Sequence, residues 1–303
     1  MKNTTLKYDK YIKKFCDEYN FVTILKTENV FTSHDTFGSF LYYIRKAFPK
    51  VKSKDLERLN LSSNLLYTSI LAVDNILDEA LYSQKEAMFM ATLLRDESLK
   101  ILNSYFEPTS LFWNYFQKYQ KEYIAAILLE DRNHFSKNSS YSIEEMEKIA
   151  AGKAAIAKVY PAGLAILSDL QHLIVHFEKS LDYFFTAVQL FDDLRDWRSD
   201  FKSKKFSYML SKLIEDKKLK DRLDTVTIEE IGRMVFFTNL AENITNLIIS
   251  YYEKAIKEVE CIECNEWRVM IKIGISECSD FRRKLLETKE REIEKVSKKS
   301  FVK

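Results

Sequence analysis

Glycine, proline and cysteine are all scarce in this sequence. Five Gly and three Pro are spread over 303 residues. Since these two residues form most tight turns and strand ends, their scarcity argues against a fold built from many short strands. The four cysteines include one isolated C-x-x-C, Cys261 and Cys264, and give no disulfide framework. We therefore expect long helices joined by short connections, with thiols that serve in packing.

The sequence also lacks a large excess of either charge sign and lacks long apolar stretches. The 47 Lys and Arg residues nearly balance the 45 Asp and Glu residues, which argues against a nucleic-acid-binding protein. No apolar run reaches the ~18 residues of a membrane-spanning helix, and the first residues contain no apolar stretch of signal-peptide length. His172 and His176 share one helical face, but no third ligand is evident beside them. We expect a cytoplasmic protein that spans no membrane.

The pattern of apolar residues is helical almost throughout the chain and predicts an all-α fold. Ser142 and Glu145 have the spacing of a capping box, which predicts a helix start. Pro161 predicts a break near Val159. The simplest organisation is a single domain over 1–286 followed by a charged tail at 287–303. The predicted helices are 36–48, 53–82, 84–106, 109–135, 143–168, 171–200, 207–218, 227–262 and 264–286.

The apolar helix predicted at 171–200 ends in a cluster of aspartates. Asp192, Asp196 and Asp200 lie on one helical face, and Asp193 lies about 100° away. Like charges at this spacing repel each other, so the cluster needs compensation. On a surface helix, neighbouring arginines and lysines would supply the compensating positive charge. The alternative source of positive charge is Mg²⁺, which prefers oxygen ligands and is usually shared between carboxylates and a phosphate.

A second apolar helix turns acidic in the same way. Residues 65–79 end with Asp74 and Asp78 at i, i+4 and with Glu79 next to them. Two apolar helices that each become acidic near the C-terminal end could face one another across a cavity. Charged residues on a solvent-exposed face would not explain why both apolar helices end in acidic residues. The presence of two such helices therefore favours a metal site.

These two acidic segments resemble known motifs. Residues 189–196, QLFDDLRD, resemble the second aspartate-rich motif of polyprenyl synthases, Q-x-x-D-D-x-x-D. The continuation to Tyr208 is similar to a stretch in squalene and phytoene synthases. Residues 74–79, DNILDE, resemble the first aspartate-rich motif, with Asn75 in place of its usual second Asp. The resemblance covers about residues 40–210. It implies the class I isoprenoid synthase fold, a helical bundle around a central apolar pocket.

The resemblance also implies a substrate and a cofactor. The substrate is a prenyl diphosphate, held by Mg²⁺, about three ions when it is bound, and by basic side chains. Lys153 occupies the place where such enzymes often carry a diphosphate-binding lysine. The expected metal ligands are Asp74, Asp78, Glu79, Asp192, Asp193, Asp196 and Asp200, of which all but Glu79 and Asp200 are also expected to be catalytic. The expected basic residues are Lys153, Arg198, Lys204 and Lys205, with Arg282 as a further candidate.

The faces of the two helices that precede the aspartates should line the apolar pocket. Aromatic rings there can stabilise a carbocation by about 0.5–2 kcal/mol each. Ordinary core packing is the competing interpretation for each of these residues. The lining expected from helix geometry is Leu66, Tyr67, Ile70 and Leu71 on one helix and Phe184, Phe185, Val188 and Gln189 on the other.

Three functions compete. Chain-elongating synthases also bind isopentenyl diphosphate, using an Arg-Arg pair soon after the first motif, where this chain reads EALYSQKEAMF. The missing pair favours a terpene synthase that cyclises or rearranges one 15- or 20-carbon prenyl diphosphate and releases diphosphate. However, the N-D-x-x-S-x-x-x-E signature of many cyclases is absent. The alternatives are a prenyltransferase, either elongating or head-to-head, and a non-catalytic helical subunit or scaffold, which Asn75 favours. A homodimer is left open.

Overall fold

The computed structural model describes residues 11–15, 17–18, 39–78, 84–135 and 142–300, with side chains throughout except at 74–78, 133–135 and 292–300. Within these ranges the regular elements are helices and no strand occurs, which confirms the all-α prediction. The α-helices are α1 (Phe40–Ile44), α2 (Ser53–Asp78), α3 (Gln84–Asn103), α4 (Leu111–Phe135), α5 (Ile143–Lys153), α6 (Val159–Leu167), α7 (Ile174–Ser203), α8 (Tyr208–Asp216), α9 (Ile228–Phe237), α10 (Leu240–Glu258) and α11 (Asn265–Ser300). Short 3₁₀ turns lie at Arg45–Ala47, Ala155–Lys158, Gln171–Leu173 and Lys220–Arg222.

Backbone contacts group the described residues into two compact units. Unit 1 takes in Met1–Tyr119, Ile156–Val175 and Ile262–Trp267, and unit 2 takes in Gln120–Ala155, His176–Cys261 and Arg268–Lys303. The single domain expected over 1–286 stays a prediction. Helix α11 continues to Ser300, so most of the expected tail is helical.

Unit 1 is held together by apolar packing and by a buried group of hydroxyls. Helices α2 and α3 share an apolar cluster that includes Leu65 and Leu94. Ser62 on α2 lies with its Oγ 2.8 Å from Ser98 Oγ on α3 and 3.2 Å from the Tyr160 hydroxyl on α6. Burial raises the pKa of Tyr160 above its ordinary value. The three hydroxyls satisfy one another away from water, as buried polar groups must.

The chain around α5 and α6 follows its local sequence signals. Glu145 N donates to Ser142 Oγ at 3.1 Å and Ser142 N donates to Glu145 Oε2 at 2.9 Å, which confirms the capping box at the start of α5. The predicted break lies just before Val159, at the 3₁₀ turn Ala155–Lys158. Pro161 therefore stands in the first turn of α6, where its missing N–H costs no helical hydrogen bond.

One predicted helix is wrong in its extent. The segment 227–262 forms two helices, α9 and α10, because the backbone at Thr238 is extended, with φ −86° and ψ −179°. Leu240 N donates to Thr238 Oγ1 at 3.3 Å, so the threonine side chain takes up one of the unpaired N–H groups at the start of α10. A second capping box, Thr227 with Glu230, begins α9.

No single helix in the described part of the chain is both long and apolar enough to cross a membrane. One interrupted pair, Ile143–Lys153 with Ala155–Leu167, reaches that length and composition when taken together. The residues from Val159 to Ala165 in this pair are buried in the protein.

Helices α4 and α5 approach each other closely in unit 2, and Gly152 permits this. A Cβ atom at Gly152 would lie 2.5 Å from Ala126 Cβ and 3.1 Å from the Glu122 carbonyl oxygen. Non-bonded carbon atoms are normally about 3.5–4.0 Å apart, so no side chain fits there without a shift of backbone. The close contact fixes where the C-terminal end of α5 lies against α4.

Gly152→Ala should therefore destabilise the protein. We expect a loss of about 1–3 kcal/mol in the free energy of unfolding, because overpacking outweighs the better helix propensity of alanine. Denaturant unfolding would measure the loss. In an Ala126→Gly background the added methyl group has room, so the same substitution should cost less. An equal cost in both backgrounds would contradict this explanation.

Candidate functional site

Helix α7 carries the second aspartate cluster, entirely within unit 2. Asp192 and Asp196 are exposed on one face of the helix, and Asp200 on the same face is half-buried. Asp193 points elsewhere and is only 6% exposed. The cluster thus combines carboxylates that reach solvent with one that is removed from it.

The environment of Asp193 opposes its negative charge. Burial is the main reason that the pKa of Asp193 is raised to about 7, and the charges of Asp200 and Glu130 raise it further. Gln189 Nε2 donates to Asp193 Oδ1 at 2.9 Å, and this bond together with Lys153 lowers the pKa in part. Gln189, expected in the substrate pocket, is therefore a hydrogen-bond partner of Asp193.

Lys153 and Glu130 complete the cluster from two other helices. Lys153 is the last residue of α5, and its Nζ donates to Glu130 Oε1 on α4 at 2.9 Å. The charge of Lys153 lowers the pKa values of Asp192, Asp193 and Asp200. The structure thus brings Lys153 to the aspartates of the second motif.

Sequence reasoning missed Glu130, although a signal for it is present. Residues 124–131 read IAAILLED, an apolar stretch that turns acidic near the end of a helix. The same pattern pointed to the aspartates at 74–78 and at 192–200. Here it lacked the i, i+4 pair of acids that marked the other two helices.

The other basic residues expected at the site divide into two groups. Lys205 lies near Asp200: its backbone N donates to Asp200 O at 2.9 Å, and its charge lowers the pKa of the Asp200 side chain. Burial and the charge of Asp196 outweigh this effect and raise the pKa of Asp200 to about 6. Lys204 instead adopts a left-handed backbone conformation, φ 56°, and pairs with Asp224 at 3.1 Å.

Among the described residues, the contacts of Arg198 and Arg282, the two arginines expected at the site, are with groups other than the aspartates. The Arg198 guanidinium lies over the Trp197 ring, 5.1 Å from its centroid. Arg282 lies 3.8 Å from a carboxylate oxygen of Glu242. Their expected role in binding diphosphate stays a prediction.

Arg195, one turn after Asp192, is the guanidinium that does lie in the cluster. Its Nη1 is 3.9 Å from Asp192 Oδ1, and its guanidinium carbon is 3.9 Å from the centroid of the Phe191 ring. Burial raises the pKa of Asp192, Arg195 lowers it, and Asp196 raises it. Because 53% of the Asp192 side chain is exposed, solvent weakens these effects and the ion pair itself.

Aromatic rings pack along α7 in the turns before the aspartates. Phe184 is buried, stands edge-on to Phe185 with the ring centroids 5.2 Å apart, and lies 5.7 Å from the Tyr252 ring. Tyr252 packs against Gly274, where an added Cβ would lie 2.9 Å from its hydroxyl oxygen. The charge of Asp192 contributes to a raised pKa of Tyr252, after burial. Val188 is half-buried on the same helix.

The first aspartate motif is described only through its backbone. Asp74 and Asp78 belong to α2, but their side chains, like Glu79 as a whole, lie outside the described residues. Within unit 1 Leu66 is buried, while Tyr67, Ile70 and Leu71 are half-buried. The roles assigned to these residues from the sequence stay predictions.

Solved structures share this arrangement of helices. No protein-family model matches the sequence, and no curated protein matches it. Octaprenyl pyrophosphate synthase from Helicobacter pylori superposes with a TM-score of 0.68 over 91% of this chain and 99% of that chain, at 14% identity. For heptaprenyl diphosphate synthase from Staphylococcus aureus the TM-score is 0.67, over 89% and 98%, at 12% identity. For geranylgeranyl pyrophosphate synthase from Lactobacillus brevis it is 0.66, over 83% and 91%, at 13% identity. The chain has the all-helical fold of the isoprenoid synthases.

The donor set of this isoprenoid-synthase-like helix suits magnesium. Asp192, Asp193, Asp196 and Asp200 supply oxygen atoms, and a bound cation would offset the burial and the neighbouring carboxylates that raise the pKa values of three of them. Among the described side chains no group of three or more His, Cys, Asp or Glu residues is gathered to hold a metal ion. Mg²⁺ commonly takes one or two carboxylates and completes its shell with water and substrate phosphate, so the residues fit a shared site.

Asp193→Asn should stabilise the metal-free protein at high pH. A carboxyl group whose pKa is raised on folding binds its proton more tightly in the folded state, so wild-type stability falls as pH rises from about 4 to about 7. The variant lacks this loss and should gain roughly 2–4 kcal/mol above pH 7. Thermal and denaturant unfolding in EDTA from pH 4 to 8 would measure it. The exposed Asp196→Asn is the control, and a gain independent of pH would refute the assignment.

Proposed function

We propose that this protein is a Mg²⁺-dependent prenyltransferase acting on an allylic prenyl diphosphate. The observation that carries the proposal is that Lys153 on α5 lies close enough to Asp192, Asp193 and Asp200 on α7 to lower their pKa values, in a fold shared with prenyl diphosphate synthases. Carboxylates that are pushed toward their neutral form by burial and mutual repulsion have a strong preference for a nearby cation. Mg²⁺ bound to a diphosphate meets that preference.

The chemistry required is the loss of diphosphate from an allylic carbon. As the C–O bond breaks, negative charge develops on the leaving diphosphate and positive charge on the allyl group. Bound Mg²⁺ supplies Lewis-acid stabilisation of the leaving group. Lys153 donates hydrogen bonds to the diphosphate oxygens, and Phe184 and Phe185 offer aromatic faces to the cation. Both rings are on the helix that holds the aspartates, so the two charges develop near fixed groups.

Transfer to a second molecule is preferred here over cyclisation of a single one. The sequence alone favoured a terpene synthase, because the chain lacks the expected Arg pair. The structural relatives are an octaprenyl pyrophosphate synthase, a heptaprenyl diphosphate synthase and a geranylgeranyl pyrophosphate synthase. These relatives therefore shift the preference toward prenyl transfer.

Terpene synthesis is the second candidate, and the missing Arg pair is the observation that favours it. After Asp78 the chain reads EALYSQKEAMF, with one lysine and no arginine. A cyclase needs to bind only one diphosphate and has no use for that pair.

A product assay tests both candidates. Geranyl, farnesyl and geranylgeranyl diphosphates are each incubated with Mg²⁺, with and without isopentenyl diphosphate. A longer prenyl diphosphate formed only when isopentenyl diphosphate is present supports transfer to it. Hydrocarbon formed from farnesyl diphosphate alone, with one diphosphate released per product molecule, supports the cyclase.

Asp192→Ala should reduce either activity by roughly 100-fold or more, EDTA should abolish it, and Mg²⁺ should restore it better than Ca²⁺. The control Asp221→Ala alters an exposed aspartate in the 3₁₀ turn Lys220–Arg222. No product under any of these conditions would contradict the proposal.

Substrate length should depend on the face of α2 that precedes Asp74. One helical turn rises about 5.4 Å, so a prenyl chain that enters near Asp74 meets Ile70 first and Tyr67 about one turn deeper. Tyr67→Ala should shift preference toward the 20-carbon substrate, and Ile70→Phe toward the 10-carbon substrate. The ratios of kcat/KM for three substrates would measure the shift. An unchanged ranking in both variants would show that this face does not line the pocket.

A further inference from the structure

Glu130 has no counterpart in the two aspartate motifs, yet it lies in the charged cluster. Its carboxylate accepts a hydrogen bond from Lys153, and its charge raises the pKa values of Asp193 and Asp200. The Glu130 side chain is 14% exposed and that of Lys153 is 32% exposed. An additional carboxylate makes a repulsive cluster worse, so its presence calls for an explanation other than charge balance.

Packing directs Lys153 toward Glu130. Gly152, the residue before Lys153, is in close contact with Ala126, and Glu130 follows Ala126 by one helical turn on α4. The last turn of α5 therefore lies beside the turn of α4 that carries Glu130. In addition, the C-terminal end of a helix favours a positive charge, so the position suits the ammonium group of Lys153.

Lys153 has two sets of acidic neighbours within unit 2. One is Glu130, at hydrogen-bond distance, and the other is the group Asp192, Asp193 and Asp200, whose pKa values its charge lowers. An ammonium group that pairs with these aspartates competes with Mg²⁺ for the same oxygen atoms. A separate carboxylate partner removes part of that competition.

We propose that Glu130 is a positioning residue that holds Lys153 beside the aspartates and leaves their oxygen atoms to the Mg²⁺ ions that bind the diphosphate. This inference rests on the proposed function, since it assumes that the cluster binds a magnesium diphosphate. Glu130 acts through Lys153 and is not itself a ligand of the metal.

The test measures binding of inorganic pyrophosphate at a series of MgCl₂ concentrations by calorimetry, without turnover. In Glu130→Gln, Lys153 loses its ion pair with Glu130 and interacts more with the aspartates, so the MgCl₂ concentration for half-maximal binding should rise roughly two- to fivefold, the range of a partly exposed ion pair. Glu130→Asp keeps the charge and should recover part of the loss. Asp131→Asn removes an exposed carboxylate next along the same helix and should change little.

A double-mutant cycle separates positioning from a simple charge effect. In a Lys153→Gln background, Glu130→Gln should no longer shift the MgCl₂ requirement, because the competing ammonium group is gone. An equal shift in both backgrounds would overturn the inference and make Glu130 a direct source of charge for the metal. No shift in the single variant would overturn it as well. If wild-type protein shows no Mg²⁺-dependent pyrophosphate binding, the proposed function fails, and this inference with it. If Glu130→Gln does not fold, the comparison of Glu130→Asp with wild type, in both backgrounds, decides.

Discussion

The burial of Asp193 beside other carboxylates is the constraint on which the arrangement of unit 2 depends. Removing a carboxylate from water costs several kcal/mol unless hydrogen bonds and opposite charges replace the lost hydration. Gln189 supplies a hydrogen bond from the preceding turn of the same helix, and Lys153 supplies charge from α5. Lys153 can do so only because Gly152 lets α5 come close to α4. The close contact between α4 and α5 thus determines where the Lys153 charge lies relative to the aspartates of α7.

These compensations for the burial of Asp193 are incomplete. With Gln189 and Lys153 in place, the pKa of Asp193 is still raised to about 7 and that of Asp200 to about 6. A bound cation would lower these pKa values, so the environment of the aspartates is compatible with the magnesium site proposed above.

Much of this architecture could be predicted from the sequence, because local rules determine it. Helical periodicity, the capping box at Ser142 and the aspartate face of α7 all depend on residues within a few positions of each other. The end of α9 could not be predicted from the sequence, because the Thr238 hydroxyl accepts a hydrogen bond from the start of the next helix and the backbone there is extended. The contact between Glu130 and Lys153 could not be predicted either, since these residues are 23 positions apart and meet only through the packing of α4 on α5. The first aspartate motif depends on the resemblance, since its side chains lie outside the described residues.

The balance between transfer and cyclisation depends on where a second diphosphate could bind. Isopentenyl diphosphate carries about three negative charges near neutral pH, and these would need cations other than Lys153, which is proposed above to bind the first diphosphate. The sequence before the first motif, YIRK, offers Arg45 and Lys46, both exposed in the 3₁₀ turn Arg45–Ala47 of unit 1. Lys46 Nζ lies 2.7 Å from Glu266 Oε1, and an exposed pair of this kind is worth only about 0–1 kcal/mol. A pair this weak does not by itself keep the turn from binding an anion. Prenyl transfer to isopentenyl diphosphate would need basic residues for this second diphosphate, whereas cyclisation of a single substrate needs no second diphosphate site.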